Sequence, residues 1–178
     1  MTDPGSARIT FRQFDEPDAE EVQAVALAAW QHTYRNTFDQ EFIQDFVGRN
    51  YAPERLRALV SALQGNEAFF HVALHHTKIV GFCHIGFSPR GVELFRIYLL
   101  PSFIGQGIGR TLLDMGERFL KQKAITCYFC YVHKDNELGK QFYLKRGFRH
   151  IAANDQGDEW YMEKELVADA AERVTYET

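Results

Sequence analysis

The sequence predicts a single domain of mixed α and β structure, of the α/β (α+β) class, with a mostly antiparallel sheet of six to seven strands flanked by helices. Three observations support this class. The 178 residues are 46% hydrophobic, enough for one core that needs no disulfide or metal. Segments with a period of two are interleaved with segments of helical period. Short turns separate successive strands, which is typical of hairpins and meanders.

The composition excludes several classes of protein. A formal net charge of −4 with no basic block argues against a nucleic-acid partner. No apolar stretch indicates export or a membrane span, so we expect no membrane association. The three cysteines, Cys83, Cys127 and Cys130, are an odd number and lie in apolar segments. We therefore expect buried thiols and a cytoplasmic location, with no metal site.

The first half of the chain predicts one strand followed by helices. We expect residues 1–6 to be disordered, residues 7–166 to form the domain and residues 167–178 to be a polar tail. Residues 7–14 alternate between apolar and polar side chains and predict a strand. A first helix is indicated by a capping-box-like start at Asp18 and by a four-residue spacing through Trp30, Tyr34 and Phe38. Asp39 can cap a further helix. Pro53 is expected to open another one, whose apolar face consists of Leu56, Leu59, Val60 and Leu63.

The second half predicts six strands and two helices. Residues 68–75, 78–87 and 92–100 form a meander, and the third strand is apolar at nearly every position. After it a helix places Ile108, Leu112, Met115 and Phe119 on one face. The remaining elements are a buried strand over residues 125–132, a helix over 137–146 that Gly147 ends, and a closing hairpin of residues 148–153 and 159–165.

Three glycines join the third meander strand to its helix. Gly105, Gly107 and Gly109 stand at alternate positions directly before the helical period. A strand, a glycine loop and a helix N-terminus together direct backbone N–H groups toward one point, where a phosphate is stabilised. A Walker loop would need Lys in place of Arg110, and a dinucleotide fingerprint would need a glycine there. The loop therefore predicts a phosphate ligand of another kind.

The glycine loop resembles the pyrophosphate-binding loop of the GNAT superfamily of N-acetyltransferases, which binds coenzyme A. The match is Ile104-Gly105-Gln106-Gly107-Ile108-Gly109, and Ile104 departs from the family's usual Gln or Arg. The resemblance implies acetyl-CoA as cosubstrate and a GNAT-like sheet whose bulged central strand opens the coenzyme site. It implies cofactor contacts from the loop and the first helical turn, at residues Gly105, Gln106, Gly107, Ile108, Gly109 and Arg110.

A second segment, from Asn136 to Phe148, resembles the family pattern Asn-x₅-Phe/Tyr-Tyr-x-x-x-Gly-Phe. By that resemblance Asn136 contacts the pantetheine arm or an ordered water, Tyr143 is the general acid at the thioester sulfur, and Lys145 reaches a coenzyme phosphate. The resemblance also places main-chain donors for the acyl group on the central strand, at Ile97, Tyr98 and Leu99.

The general base is left open. Many relatives carry a Glu at the position of Tyr131, which is a poor base. Glu93, a carboxylate among apolar neighbours, is the first choice because burial would raise its pKa. His84, His133 and water are the alternatives.

The acceptor is predicted to be a small primary amine. Residues 33–38 loosely resemble the branch that acetylates spermidine and spermine, and Tyr34 and Glu93 are the expected acceptor contacts. Acidic side chains at Asp39, Glu41 and Asp45 would suit a cationic polyamine. Acetylation of protein N-termini or lysines, of amino sugars or drugs, and a non-catalytic acyl-CoA sensor remain alternatives. The oligomeric state, with a homodimer among the options, is left open.

Overall fold

A computed structural model describes residues 8–167 of the chain. The predicted disordered start at residues 1–6 and nearly all of the predicted tail at 167–178 lie outside the described residues. The strands are β1 Ile9–Gln13, β2 Phe69–His75, β3 Lys78–Ser88, β4 Gly91–Leu99, β5 Cys127–His133, β6 Arg149–His150 and β7 Glu159–Glu165. The helices are α1 Ala19–Tyr34, α2 Gln40–Asn50, α3 Pro53–Arg57, α4 Val60–Gln64, α5 Ile108–Gln122 and α6 Glu137–Lys145.

The seven strands form one sheet in the order β1-β2-β3-β4-β5-β7-β6. Neighbouring strands are antiparallel throughout except for β4 and β5, which are parallel. This confirms the predicted mostly antiparallel sheet. The strand β5 follows α5 rather than a hairpin turn, and a crossover through a helix is what parallel neighbours require.

The two central strands separate after a short contact. β4 and β5 pair only at Glu93 and Phe129, and beyond that point they diverge. On its other side β4 is bulged, because His84 of β3 faces Arg96 while Ile85 faces Leu94, which leaves Phe95 without a partner. A bulge bends a strand and increases its twist. The predicted bulged central strand is thus present, and it opens a gap between β4 and β5.

Each face of the sheet carries its own core. One core packs α1 to α4 against side chains of β2 and β3, with Val22, Ile43, Leu56 and Phe82 fully buried. The other packs α5 against the opposite face, and its buried residues include Leu112, Leu113 and Leu120. The apolar face of α5 is therefore rotated from the predicted one, because Met115 and Phe119 are only partly buried.

Two helix predictions near the N-terminus need correction. Asp18 does not cap α1 with its side chain, because that carboxylate accepts hydrogen bonds from Arg12 at 2.6 and 2.8 Å. The helix predicted to begin at Pro53 is two short helices, α3 and α4, separated at Ala58 and Leu59. By contrast, Asp39 caps α2 as predicted, accepting from the Phe42 amide at 2.7 Å.

The last predicted hairpin is shorter than expected. Its first strand, β6, has only two residues, and Ala152–Asn154 forms a 3-10 turn before β7. Cys83 and Cys130 are buried free thiols, whereas Cys127 is partly exposed. Within residues 8–167, no helix combines the length and apolarity needed to cross a bilayer. The same residues contain no group of three or more His, Cys, Asp or Glu side chains arranged to hold a metal ion.

Candidate active site

The gap between β4 and β5 opens into a cavity of about 550 Å³. Its walls come from α1 and α2 on one side of the sheet, from the glycine loop on the other, and from β4, β5, α6 and the start of β7 between them. The strand β4 was predicted to be largely buried. From Phe95 onward it is only partly buried, because its β5 side faces this cavity.

The glycine loop lines one end of the cavity. Gly105 and Gly107 have φ angles of 83° and 82°, which L-residues with a side chain rarely adopt. Gly107 is the N-cap of α5, so the unpaired amides of the first helical turn meet the cavity here. Gly105, Gly107, Gly109 and Arg110, four of the predicted cofactor contacts, line the wall.

Two predicted loop contacts are placed elsewhere. The Gln106 side chain turns back, and its amide donates to the Ser102 carbonyl at 2.9 Å. Ile108 is buried in the core beneath α5. Neither residue lines the cavity, so they contribute through the backbone at most.

Three cations surround the loop end. Arg110 follows the glycines, and Lys145 and Arg146 lie at the end of α6, all three on the cavity wall. Lys145 was predicted to meet a phosphate, and Arg146 was missed. The sequence did carry a signal for it, since Arg146 directly precedes the glycine that ends α6.

The backbone of β4 offers unpaired amides to the cavity. The Leu100 amide donates to the Val80 carbonyl of β3 at 2.8 Å. Because N–H groups alternate along a strand, the Tyr98 amide also faces β3, while those of Ile97 and Leu99 face the gap. Of the three predicted main-chain donors, Ile97 and Leu99 therefore point toward the cavity, and Tyr98 contributes its side chain instead.

Tyr143 lies on α6 and lines the cavity with 8% of its surface exposed. Its ring packs against Phe148 and Phe142, with centroids 5.3 and 5.5 Å away. Burial raises the pKa of the Tyr143 phenol well above its ordinary value, and the nearby thiol of Cys130 adds to the effect. The phenol is consequently protonated throughout the physiological range.

Asn136 links α6 to α1. Its side-chain oxygen caps α6 by accepting from the Gly139 amide at 2.8 Å, and its Nδ2 donates to the Tyr34 hydroxyl at 3.4 Å. A Cβ at Gly139 would lie 2.7 Å from that Nδ2, so the glycine is needed for the Asn136 rotamer. Both Asn136 and Tyr34 line the cavity.

Two of the predicted base candidates stand apart from the cavity wall. Burial does raise the pKa of Glu93, but this carboxylate does not line the cavity. His84 is buried between Phe70 and Phe95, and burial lowers the pKa of its imidazole to about 3. Neither residue lines the cavity.

The wall instead brings together His133 and Glu159. These residues face each other across β5 and β7, and both line the cavity beside Tyr34. Glu159 is half-buried, and burial raises the pKa of its carboxyl. His133 Nδ1 accepts a hydrogen bond from the Asp135 amide at 3.2 Å, which in the neutral ring leaves the proton on Nε2. Nδ1 is therefore engaged with the backbone, whereas the Glu159 carboxylate lines the cavity.

Little in the local sequence points to Glu159. It opens a strand after a polar turn, and such a residue is ordinarily solvated. Among the described residues that line the cavity it is the sole carboxylate. The acidic residues that were expected to serve the acceptor are placed outside the wall: Asp39 caps α2, Asp45 pairs with Arg49, and Glu41 is exposed.

Aromatic rings form the wall opposite the glycine loop. Trp30 packs against Phe46 and Tyr34 with centroids 4.2 and 4.6 Å away, and its Nε1 donates to the Tyr98 hydroxyl at 3.2 Å. Tyr51 meets Tyr98 edge to face at 5.9 Å. Tyr131, at the position of the family's Glu, lines the cavity and directs its hydroxyl to Arg90 and Gln156.

These features fit a bound coenzyme A. The left-handed glycines, the start of α5 and the three cations suit a diphosphate, because backbone donors, helix dipole and charge all favour an anion. The unpaired amides of Ile97 and Leu99 suit an extended pantetheine arm, which would take the place of a missing strand in the gap. The residues present therefore match the group that the resemblance implies.

Comparisons with known proteins agree with this geometry. The model of the acetyltransferase (GNAT) family matches residues 20–148. A spermidine N(1)-acetyltransferase from Thermoplasma acidophilum is 31% identical over 157 residues, which cover 88% of this chain and 96% of the relative.

Solved structures show the same fold. The crystal structure of PaiA N-acetyltransferase from Thermoplasma acidophilum, in complex with coenzyme A, has a TM-score of 0.84 and 31% identity, covering 89% of this chain and 99% of that one. A GNAT-family acetyltransferase from Staphylococcus aureus Mu50 has a TM-score of 0.70 at 18% identity, covering 90% and 100% of the two chains, and supports the fold alone. Family match, full-length relative and fold together show that the chain belongs to the GNAT family of acetyltransferases and is an acetyl-CoA-dependent N-acetyltransferase.

Proposed function

We propose that the chain transfers an acetyl group to a primary amine of a small molecule, by direct attack in a ternary complex. The observation that carries this proposal is the single cavity in the β4–β5 gap. It joins a phosphate-type glycine loop, the amides of Ile97 and Leu99, the Tyr143 phenol and the Glu159 carboxylate. We therefore expect the coenzyme to bind at the glycine-loop end of the cavity and the acceptor to bind at the end beside Glu159.

Acetyl-CoA, when bound, supplies an acyl thioester whose departing sulfur needs a proton. Tyr143 is the proposed donor of that proton, since its buried phenol stays protonated and lines the cavity. Its raised pKa makes the phenol a weaker acid than ordinary tyrosine, so the transfer depends on the position of its hydroxyl. The free amides of Ile97 and Leu99 are placed to hold an acyl carbonyl oxygen.

The acceptor amine must lose a proton before it attacks. A lysine-like amine has a pKa of about 10.4, so at pH 7 roughly one molecule in 2,500 is neutral. Glu159 is the proposed group that binds the ammonium and takes its proton, directly or through water. A carboxylate with a raised pKa is a stronger base than an exposed one, and this is the advantage that its burial brings.

A polyamine is the acceptor class that the Thermoplasma relative's name suggests. The aromatic wall and Glu159 support a cationic amine, because ring faces and a carboxylate both attract ammonium groups. Acetylation of a protein N-terminus or lysine is the competing hypothesis. A cytoplasmic location and a homodimer stay predictions.

A mass-spectrometric screen tests the proposal. The protein and acetyl-CoA would be incubated with polyamines, other small amines, and peptides with a free N-terminus or a lysine. We expect mass gains of one acetyl group on small primary amines and slower reaction with peptides. Preferred acetylation of peptides would favour the protein-directed alternative. Tight coenzyme binding with no acetylated product would support the sensor hypothesis.

Two matched variants test the base. We expect Glu159→Gln to lower kcat/KM by roughly 10²–10⁴-fold and to remove the acidic limb of the pH–rate profile. That limb marks ionisation of the carboxyl, so wild-type activity should fall as the pH drops through its raised pKa. Glu93→Gln is the control, because it removes an equally half-buried carboxyl outside the cavity. If Glu93→Gln loses the limb and Glu159→Gln keeps it, the assignment is reversed.

A further inference from the structure

Arg96 is a cation at the acceptor end of the cavity that neither the family pattern nor the proposed chemistry uses. It lies on β4 next to the bulge and lines the cavity. Its Nη2 donates to the Asn50 carbonyl at the end of α2 at 3.1 Å, and its guanidinium stands over the Tyr51 ring, 4.7 Å from the centroid. Two neighbours thus hold the group in place.

The guanidinium has no counter-ion among the residues that the structure describes. Among residues 8–167 no carboxylate forms an ion pair with Arg96, and its Nη1 is buried without a hydrogen-bond partner. Leaving a buried charged donor unpaired is costly, and proteins ordinarily satisfy such groups. An arginine that is positioned by one carbonyl and one ring, yet keeps unused donors beside a cavity, is suited to a ligand anion.

The charges of the wall separate into two groups. Arg110, Lys145 and Arg146 accompany the glycine loop and the end of α6, where a diphosphate fits. On the acceptor side, Arg96 is the fixed cation, on β4, and Glu159 is the carboxylate, on β7 beyond the other edge of the gap. A polycation would be attracted by Glu159 but repelled by Arg96. An acceptor that carries one ammonium and one anion complements both.

We infer that Arg96 binds a carboxylate of the acceptor, so that the preferred substrates are amino carboxylates rather than simple polyamines. The inference rests on the proposed acetyl transfer and narrows its acceptor class. The amine lies toward Glu159 and Tyr34, and the acid toward Arg96 and Tyr51. A carboxylate is favoured over a phosphate because one guanidinium balances one negative charge, and no second cation of the wall lies on this side.

A comparison of matched acceptors tests this specificity. A series of ω-amino carboxylates would be compared with the diamines of the same carbon count, using kcat/KM for acetyl transfer. We expect the best amino carboxylate to exceed its matched diamine by roughly tenfold or more, the ratio that a charged hydrogen bond typically gives. Equal or better activity on the diamine would overturn the inference and leave the proposed acetyl transfer intact.

Variants of the arginine assign the effect to this residue. Arg96→Gln should raise KM for the amino carboxylate by roughly tenfold or more, whereas KM for the matched diamine should stay the same or fall because a repelling charge is lost. For the amino carboxylate, the KM of Arg96→Lys should lie between those of wild type and Arg96→Gln. Arg49→Gln is the control, because its guanidinium is exposed on α2 and pairs with Asp45. Circular dichroism and coenzyme A affinity check that each variant is folded. Equal losses on both acceptors would assign Arg96 a structural role only.

A binding measurement separates failure of this inference from failure of the proposed function. Hexanoate and hexylamine would be titrated into the protein loaded with coenzyme A, with calorimetry as the readout. If hexanoate binds wild type and this binding disappears in Arg96→Gln, the carboxylate site is supported. This holds even if no amine is acetylated, and then only the proposed acetyl transfer fails. Hexanoate that does not bind wild type overturns the site, whatever the activity.

Discussion

At the scale of single residues, burial decides which ionisable groups of the cavity are useful. Tyr143 and Glu159 both lie on the wall, and burial raises the pKa of each. For the phenol this guarantees a proton to give, and for the carboxylate it strengthens the base. Burial also raises the pKa of Glu93, but this carboxyl does not line the cavity. A perturbed pKa identifies a functional group only together with its position.

Removal of the Tyr143 hydroxyl tests the proposed acid. We expect Tyr143→Phe to lower kcat by roughly 10²–10⁴-fold while changing KM for acetyl-CoA by about twofold at most, because only the proton donor is lost. Steady-state kinetics measure both. Tyr131→Phe is the control, since that hydroxyl contacts Arg90 and Gln156 instead. An equal effect on both constants would argue against the acid role.

At the scale of elements, the site depends on where helices begin. The helix α5 begins at the cavity wall, directly after the N-cap Gly107, and α6 begins after Asn136, whose side chain caps the helix and reaches Tyr34. Helix starts carry free amide donors, so they are natural positions for a ligand's anion and for polar side chains. The strand β4 contributes in the same way, through amides freed by the divergence of β5.

A substitution in the glycine loop separates backbone strain from side-chain collision. A Cβ at Gly107 would meet no atom within 4 Å, so the expected cost of Gly107→Ala is that of a left-handed residue, about 1–2 kcal/mol. If the helix start relaxes to avoid this strain, the amides lose their alignment. We therefore expect weaker coenzyme A binding by calorimetry.

Gly48→Ala in α2 is the matched control for the loop substitution. Gly48 is exposed, a Cβ added at this position would meet no atom within 4 Å, and its φ is not left-handed. Alanine in a helix interior is favoured over glycine by up to about 1 kcal/mol, so this variant should be slightly more stable and bind coenzyme normally. Unchanged affinity in Gly107→Ala would count against the diphosphate position.

At the scale of the whole molecule, a buried histidine couples folding to pH. His84 lies in β3 near the centre of the sheet, and burial lowers the pKa of its imidazole to about 3. The unfolded chain takes up a proton near pH 6.5 and the folded chain does not. This contribution to stability is therefore complete above pH 6.5 and is lost as the pH falls toward 3.

Urea unfolding at pH 7 and pH 5 measures this coupling. From the slope of about 1.4 kcal/mol per pH unit, His84 should account for roughly 2 kcal/mol of lost unfolding free energy at pH 5. Between pH 7 and pH 5, the unfolding free energy of His84→Gln should fall by roughly 2 kcal/mol less than that of wild type. All other titrating groups are common to both proteins, so the difference isolates His84. If wild type and His84→Gln lose the same unfolding free energy between the two pH values, His84 becomes protonated in the folded state as well.

The sequence determined the elements and half of the site. Periodicity located the seven strands, and short turns predicted their antiparallel pairing, because both signals are local. The glycine loop and the segment from Asn136 to Tyr143 located the coenzyme end, since a phosphate site is built from consecutive backbone amides. Arg96 was visible as one of two polar residues in an apolar strand, but nothing nearby in the sequence indicated its purpose.

Only the tertiary structure decided the acceptor end. Glu159 is twenty-six residues from His133 in the chain and becomes its neighbour through the pairing of β5 with β7. Glu93 lies among apolar neighbours in the sequence and Glu159 follows a polar turn, yet the sheet places Glu159 on the cavity wall and Glu93 outside it. A phosphate loop is made by contiguous residues and is legible in sequence. A pocket for a small amine is made by side chains from separate strands, and its chemistry exists only once those strands are assembled.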